Sequence, residues 1–128
     1  MSMITTDPQI LIHVATRHLP DHVTEKPDQY AFAYQVTISN RSQQPVQLLS
    51  RYWLITDANG KTTEVSGDGV VGKQPVIDAG DEYQYTSGAI LDTPVGSMQG
   101  YYEMERADGS PFRANIDVFR LAVPNLIN

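Results

Sequence analysis

Residues 30–38 read Tyr30-Ala31-Phe32-Ala33-Tyr34-Gln35-Val36-Thr37-Ile38, with a bulky side chain at every even position and a small or polar one between. A period of two puts one face on a core and the other outward, as in a β-strand. A helix would spread the five large residues around its circumference. The β-branched and aromatic content agrees with the period.

Working outward, the same pattern recurs. Residues 9–16 align Ile10, Ile12 and Val14. Residues 46–55 are apolar on both faces, as a central strand is. Residues 82–86 place Tyr83 and Tyr85 together, and residues 97–106 align Met98, Tyr102 and Met104. In residues 112–123 the apolar positions run Phe112, Ile116, Val118 and then change phase to Phe119 and Leu121, which predicts a bulge near Val118. Turn signals separate the runs. Residues 40–45 read as a hairpin loop, Asp57-Ala58-Asn59-Gly60 carries the strong Asn-Gly hairpin signal, and Asp78-Ala79-Gly80-Asp81 and Asp108-Gly109 are further turns. Residues 19–29, polar and holding Pro20 and Pro27, read as an exposed loop. Six or seven strands at this spacing predict an all-β fold, a two-sheet antiparallel sandwich of the immunoglobulin/fibronectin type III kind, as a single domain over residues 1–128. All nine glycines fall between Gly60 and Gly109, so the irregular loops belong to the second half.

Composition narrows the function. With 9 Lys+Arg against 15 Asp+Glu, the net charge is −6, and the basic residues are scattered. Nucleic acid is therefore not an expected partner. No cysteine is present, which removes disulfides and thiolate chemistry and fits a reducing compartment. The first residues carry no secretory signal pattern, and no run reaches the length of a membrane span. The expectation is a cytoplasmic protein without membrane partners, a monomer or weak dimer.

Four groups of residues bear on chemistry. Gly67-Asp68-Gly69-Val70-Val71-Gly72 is a literal GxGxxG followed by Lys73. A dinucleotide fold needs a helix after it, and Lys73-Gln74-Pro75 supplies none. Two readings stay open: an anion nest of backbone N–H groups for a nucleotide or pyrophosphate, helped by Lys73, or a structural crossover between the sheets. In the first reading, Gly69→Val and Lys73→Ala remove binding and leave folding intact. His13, His18 and His22, with Glu103, Glu105 and Asp108, match no metal-ligand spacing, so they read as a charged surface, and neither metal nor cofactor is expected. Ser50, Ser66, Ser87 and Ser97 lie in no nucleophile elbow, and the expectation is no enzyme. Arg51, Tyr52 and Trp53 are consecutive, as are Tyr101 and Tyr102. One member of each set faces the core, and Arg51, Tyr52 and Tyr101 are the candidates for a partner-contact surface.

The order of these residues resembles the ApaG family from about Tyr34 to Leu121. The matching stretches are Asn40-Arg41-Ser42, residues 46–57, residues 67–75, Tyr85-Thr86-Ser87-Gly88, Thr93-Pro94, Gly96, Met98, Gly100 and Tyr102. The family often has His where Tyr52 stands. The resemblance implies a fibronectin type III-like sandwich in a bacterial cytoplasmic protein associated with cobalt resistance and magnesium efflux. Related domains in eukaryotic F-box and polymerase-interacting proteins resemble protein-binding modules. The resemblance also implies a pyrophosphate-binding suggestion for Gly67, Gly69 and Gly72, and it carries over no catalytic residue.

Overall fold

The computed structural model describes residues 5–125. Both ends of the single domain expected over 1–128 therefore lie outside the described residues. The chain forms eight strands: β1 (Ile10–His18), β2 (Tyr30–Asn40), β3 (Val46–Asp57), β4 (Thr62–Asp68), β5 (Val76–Ile77), β6 (Glu82–Leu91), β7 (Val95–Arg106) and β8 (Pro111–Ala122). One antiparallel sheet has the order β1-β2-β6. The other has the order β4-β3-β7-β8, with β5 also on β3. A three-stranded sheet packed on a four-stranded path is the fibronectin type III arrangement, so the expected fold class holds.

The even positions of residues 30–38 line the core as the period requires, with Phe32, Tyr34, Val36 and Ile38 buried. Trp53 on β3 fills the centre and is 2% exposed. Tyr34 meets its ring edge-on at 5.3 Å, Phe119 at 5.8 Å and Tyr102 at 6.3 Å between centroids. Each large apolar side chain removed from water in this way contributes about 1.5–3 kcal/mol. Sequence-distant strands meet here, so this cluster holds the two sheets face to face.

Several local expectations change. Residues 40–45 join β2 to β3, which lie in different sheets, so they form an inter-sheet crossing and not a hairpin. Residues 78–81 are the return crossing, from β5 to β6. Asn40 fastens both. Its buried Nδ2 donates to the carbonyls of Gln44 and Ile77, each at 2.9 Å, and its Oδ1 accepts from the Ser42 N–H at 3.0 Å. Its backbone exchanges bonds with Asp81 (2.9 Å) and Gly80 (2.8 Å). The strand at Glu82 continues to Leu91, beyond the expected residue 86. β4 was not expected as a strand: it is exposed at all but one position and carries no apolar period. The bulge near Val118 is present. Met98 pairs with Phe119 and Gly100 with Ile116, leaving one extra residue on β8. Val118 is thereby turned outward, 61% exposed, while Phe119 and Leu121 point in. A second bulge lies at Leu49 on β3.

The two open sides of the sandwich differ. On one, Thr6 bridges in parallel to Arg113 of β8, and the Arg113 N–H donates to the Thr5 carbonyl at 2.8 Å. Asp7 adds an ion pair to Arg106 at 3.3 Å. On the other, β4 and β6 are edge strands.

Candidate functional site

Alternation along β3 and β7 decides which aromatic residues face out. Trp53 and Tyr102 point into the core, so Tyr52 and Tyr101 project from the opposite face of the larger sheet, directly across from each other. Their rings stack at 4.9 Å with 25° between planes. The Arg113 guanidinium lies over Tyr101 at 3.9 Å from the ring centroid and pairs with Glu103 at 3.4 Å. On the other flank, the Tyr52 hydroxyl donates to Glu64 Oε2 at 2.7 Å. That bond holds the phenolic proton, and together with partial desolvation and the Glu64 charge it raises the Tyr52 pKa above the ordinary tyrosine value. Among the described residues, the buried Nε of Arg113 has no partner.

The result is a ladder across four strands: Glu64, Tyr52, Tyr101 and Arg113, with Glu103 beside it. Beneath it lies an open depression of about 370 Å³, lined by Ser50, Ser66, Asp68, Tyr52, Tyr101 and Glu103 among others. Aromatic stacking and a cation over a ring are each worth roughly 0.5–1.5 kcal/mol, so the cluster is ordered before anything binds. Its chemistry suits contact with a partner that offers hydrogen-bond donors or a cationic group.

Arg51 also lines the depression, but its guanidinium takes no part in the ladder. It sits opposite the inward-facing Tyr102, and its guanidinium turns along the inner side to the glycine loop. There Nη1 donates to the carbonyls of Asp68 (3.1 Å) and Gly69 (3.0 Å). Arg51, Tyr52 and Tyr101 thus border one depression, while the Arg51 guanidinium turns the other way because consecutive strand residues face opposite sides. Arg113 and Glu64 were missed as members of the ladder. The hairpin about Asp108-Gly109 pairs Glu103 with Arg113 and Tyr101 with Asn115, and the hairpin about Asn59-Gly60 pairs Leu54 with Glu64. Counting outward from those turns was the signal that would have found both.

The glycine loop is not a crossover between sheets. It runs along one edge of β3, from β4 to β5 in the same sheet. Val70 and Lys73 close a tight turn with reciprocal backbone bonds of 2.8 and 3.0 Å, and Val71 and Gly72 between them have φ of 48° and 78°. The Gly69 N–H donates to the Leu49 carbonyl at 2.8 Å. The donors of Gly69, Val70 and Lys73 are thus already engaged, and the carbonyls of Asp68 and Gly69 face the Arg51 guanidinium. Gly69 has φ of 64°, and a Cβ there would collide with the Lys73 carbonyl. Gly69→Val consequently disturbs folding, contrary to the sequence expectation. Elsewhere, the His18 ring packs on Phe32 at 5.4 Å, and no group of three or more His, Cys, Asp or Glu among the described residues is arranged to hold a metal ion. No helix among the described residues is long and apolar enough to cross a membrane.

Comparison with known proteins adds the family. Residues 20–106 match the family model described as ApaG domain. The chain is 56% identical over 126 residues to "Protein ApaG" of Vibrio vulnificus (strain YJ016), covering 98% of this chain and 100% of that one. It is 54% identical over 121 residues to "Protein ApaG" of Klebsiella pneumoniae (strain 342), covering 94% and 97%. A crystal structure of a Bordetella pertussis protein superposes with a TM-score of 0.87 at 39% identity, covering 98% of this chain and 100% of that one.

Proposed function

The chain belongs to the ApaG family, and from that premise we propose that it is a non-enzymatic interaction module of the cytoplasm, which influences cobalt resistance and magnesium efflux through a protein partner. The observation that supports this reading is the outward ladder Glu64-Tyr52-Tyr101-Arg113. Tyrosine and arginine, held rigid and half exposed at the middle of a sheet, are the residue types that dominate binding energy at protein interfaces. The acidic rim of Glu64, Asp68 and Glu103 favours a partner segment bearing Lys or Arg.

The test is a pair of measurements on Tyr52→Ala/Tyr101→Ala in a strain lacking its own copy. The expected outcome is a folded variant with a melting temperature within a few degrees of the parent, and loss of the cobalt tolerance that the parent restores. Tolerance restored in full by the folded variant would remove this face from the function. Phosphate binding through Gly67, Gly69, Gly72 and Lys73 is less well supported, because three of the loop's N–H groups already have backbone acceptors. Pyrophosphate-induced amide shifts confined to residues 67–73 would reinstate it.

A further inference from the structure

β4 offers an edge whose charges and length together favour one register for a second copy. The parity of its pairing with β3 is fixed at both ends, where the Asp57 N–H donates to Lys61 O (3.0 Å) and the Gly69 N–H to Leu49 O (2.8 Å). In an antiparallel ladder, bonded and non-bonded pairs alternate. Thr63, Val65 and Gly67 therefore bond to β3, while the main-chain groups of Thr62, Glu64 and Ser66 face away from it. Among the described residues, no strand meets them there. The opposite margin of the sheet is different, since β8 is bridged at Arg113 by Thr6. β4 is also exposed at every position but one, including Val65 at 37%.

Unpaired edges of this kind are templates for another strand. For a second copy of the same strand, only residues with free main-chain groups can exchange bonds, so even positions must meet even positions. Centring the pair on Glu64 sets Glu64 against its own copy. Centring it on Ser66 sets Glu64 against Asp68. Both place like charges directly opposite, which is destabilising. Centring it on Val65, the midpoint of β4, sets Glu64 opposite Ser66 twice and Val65 against Val65, and leaves Asp68, whose carbonyl Arg51 already holds, outside the exchange. On the inner side Thr63 then faces Gly67, whose missing side chain leaves room. We infer that this chain self-associates through β4, two copies pairing antiparallel about a two-fold axis at Val65.

The pairing makes one continuous sheet through main-chain groups of the edge; it shares Glu64 with the tyrosine ladder but does not rest on the proposed partner role. The two β3 strands then lie about 14 Å apart, three strand spacings of ~4.8 Å. The two tyrosine ladders thus come to lie side by side on one surface.

The experiment is sedimentation equilibrium from micromolar to millimolar protein, with amide exchange on the labelled chain. Association is expected at the upper end of that range. It brings new protection at Glu64 and Ser66, while Thr63 and Val65 are protected at every concentration. Ser66→Lys puts an ammonium opposite the copy's Glu64 and tightens association by roughly 2- to 30-fold, because the two-fold axis counts the pair twice. Ser66→Glu weakens it by a similar factor. Ser66→Pro removes an N–H that no intrachain bond uses and abolishes association. A chain that stays monomeric throughout, Ser66→Lys included, overturns the inference. So does a shift in the same direction for Ser66→Lys and Ser66→Glu, which also keeps the test open should the proline variant fail to fold.

Discussion

Tyr85 of β6 and Tyr102 of β7 meet hydroxyl to hydroxyl across the buried space between the two sheets. Burial pushes both phenols well above the ordinary tyrosine value. A folded-state pKa raised above the unfolded one gives stability that is fully present below about pH 10 and is lost as pH rises toward the folded value. Above pH 10 the unfolding free energy should therefore fall by up to about 1.4 kcal/mol per pH unit for each of the two phenols. Denaturant titrations at increasing pH read this slope, and it should halve in Tyr102→Phe. At neutral pH, Tyr85→Phe leaves the Tyr102 hydroxyl buried without its partner and should cost roughly 1–3 kcal/mol. The double replacement should recover part of that loss, which a double-mutant cycle measures. The inward phase of Tyr85 and Tyr102 was legible from alternation. Their meeting was not, because period two says which face a residue takes and nothing about which residue of the other sheet lies opposite. The same limit separates the two loop glycines. Gly69→Val should destabilise by roughly 2–4 kcal/mol, combining a positive φ with the collision against Lys73. Gly72→Ala, with φ of 78° but open space around it, should cost only about 1–2 kcal/mol.

Among elements, the strands with one buried face were legible and the one without was not. β2 and β7 alternate because each has a dry side. β4 has none, so its Thr, Glu and Ser carry no period, and only the Asn59-Gly60 turn hinted that a partner for β3 followed. The bulge on β8 was legible because an extra residue shifts the apolar phase by one. The bulge at Leu49 was hidden, since Leu48 and Leu49 are alike and nothing in the pattern tells which of them is the extra residue. Turn residues marked where the chain bends, but not whether it stays in its sheet. Asn40 makes that distinction in space by tying both crossings. Asn40→Ala deletes the side-chain bonds and takes the Asn40 donor from the buried Ile77 carbonyl, while Gln44 keeps Ser42 Oγ, so a loss of roughly 1–3 kcal/mol is expected in chemical denaturation. Asn40→Asp should not rescue it, because a carboxylate cannot donate to Gln44 and Ile77.

For the whole molecule, the sheet order sets what each margin can do. The tyrosine ladder runs across β4, β3, β7 and β8, so it exists only once strands distant in sequence are side by side. The bridge from Thr6 to Arg113 has a consequence in time. During synthesis β1 and β2 can pair early, yet the segment before β1 waits for the last strand to leave the ribosome. A chain stalled ahead of β8 should be readily cleaved by protease near its start, and one released with β8 complete should resist. The seam between Thr5–Thr6 and β8 therefore closes late, and an extension fused ahead of Thr5 would have to pass it each time it forms.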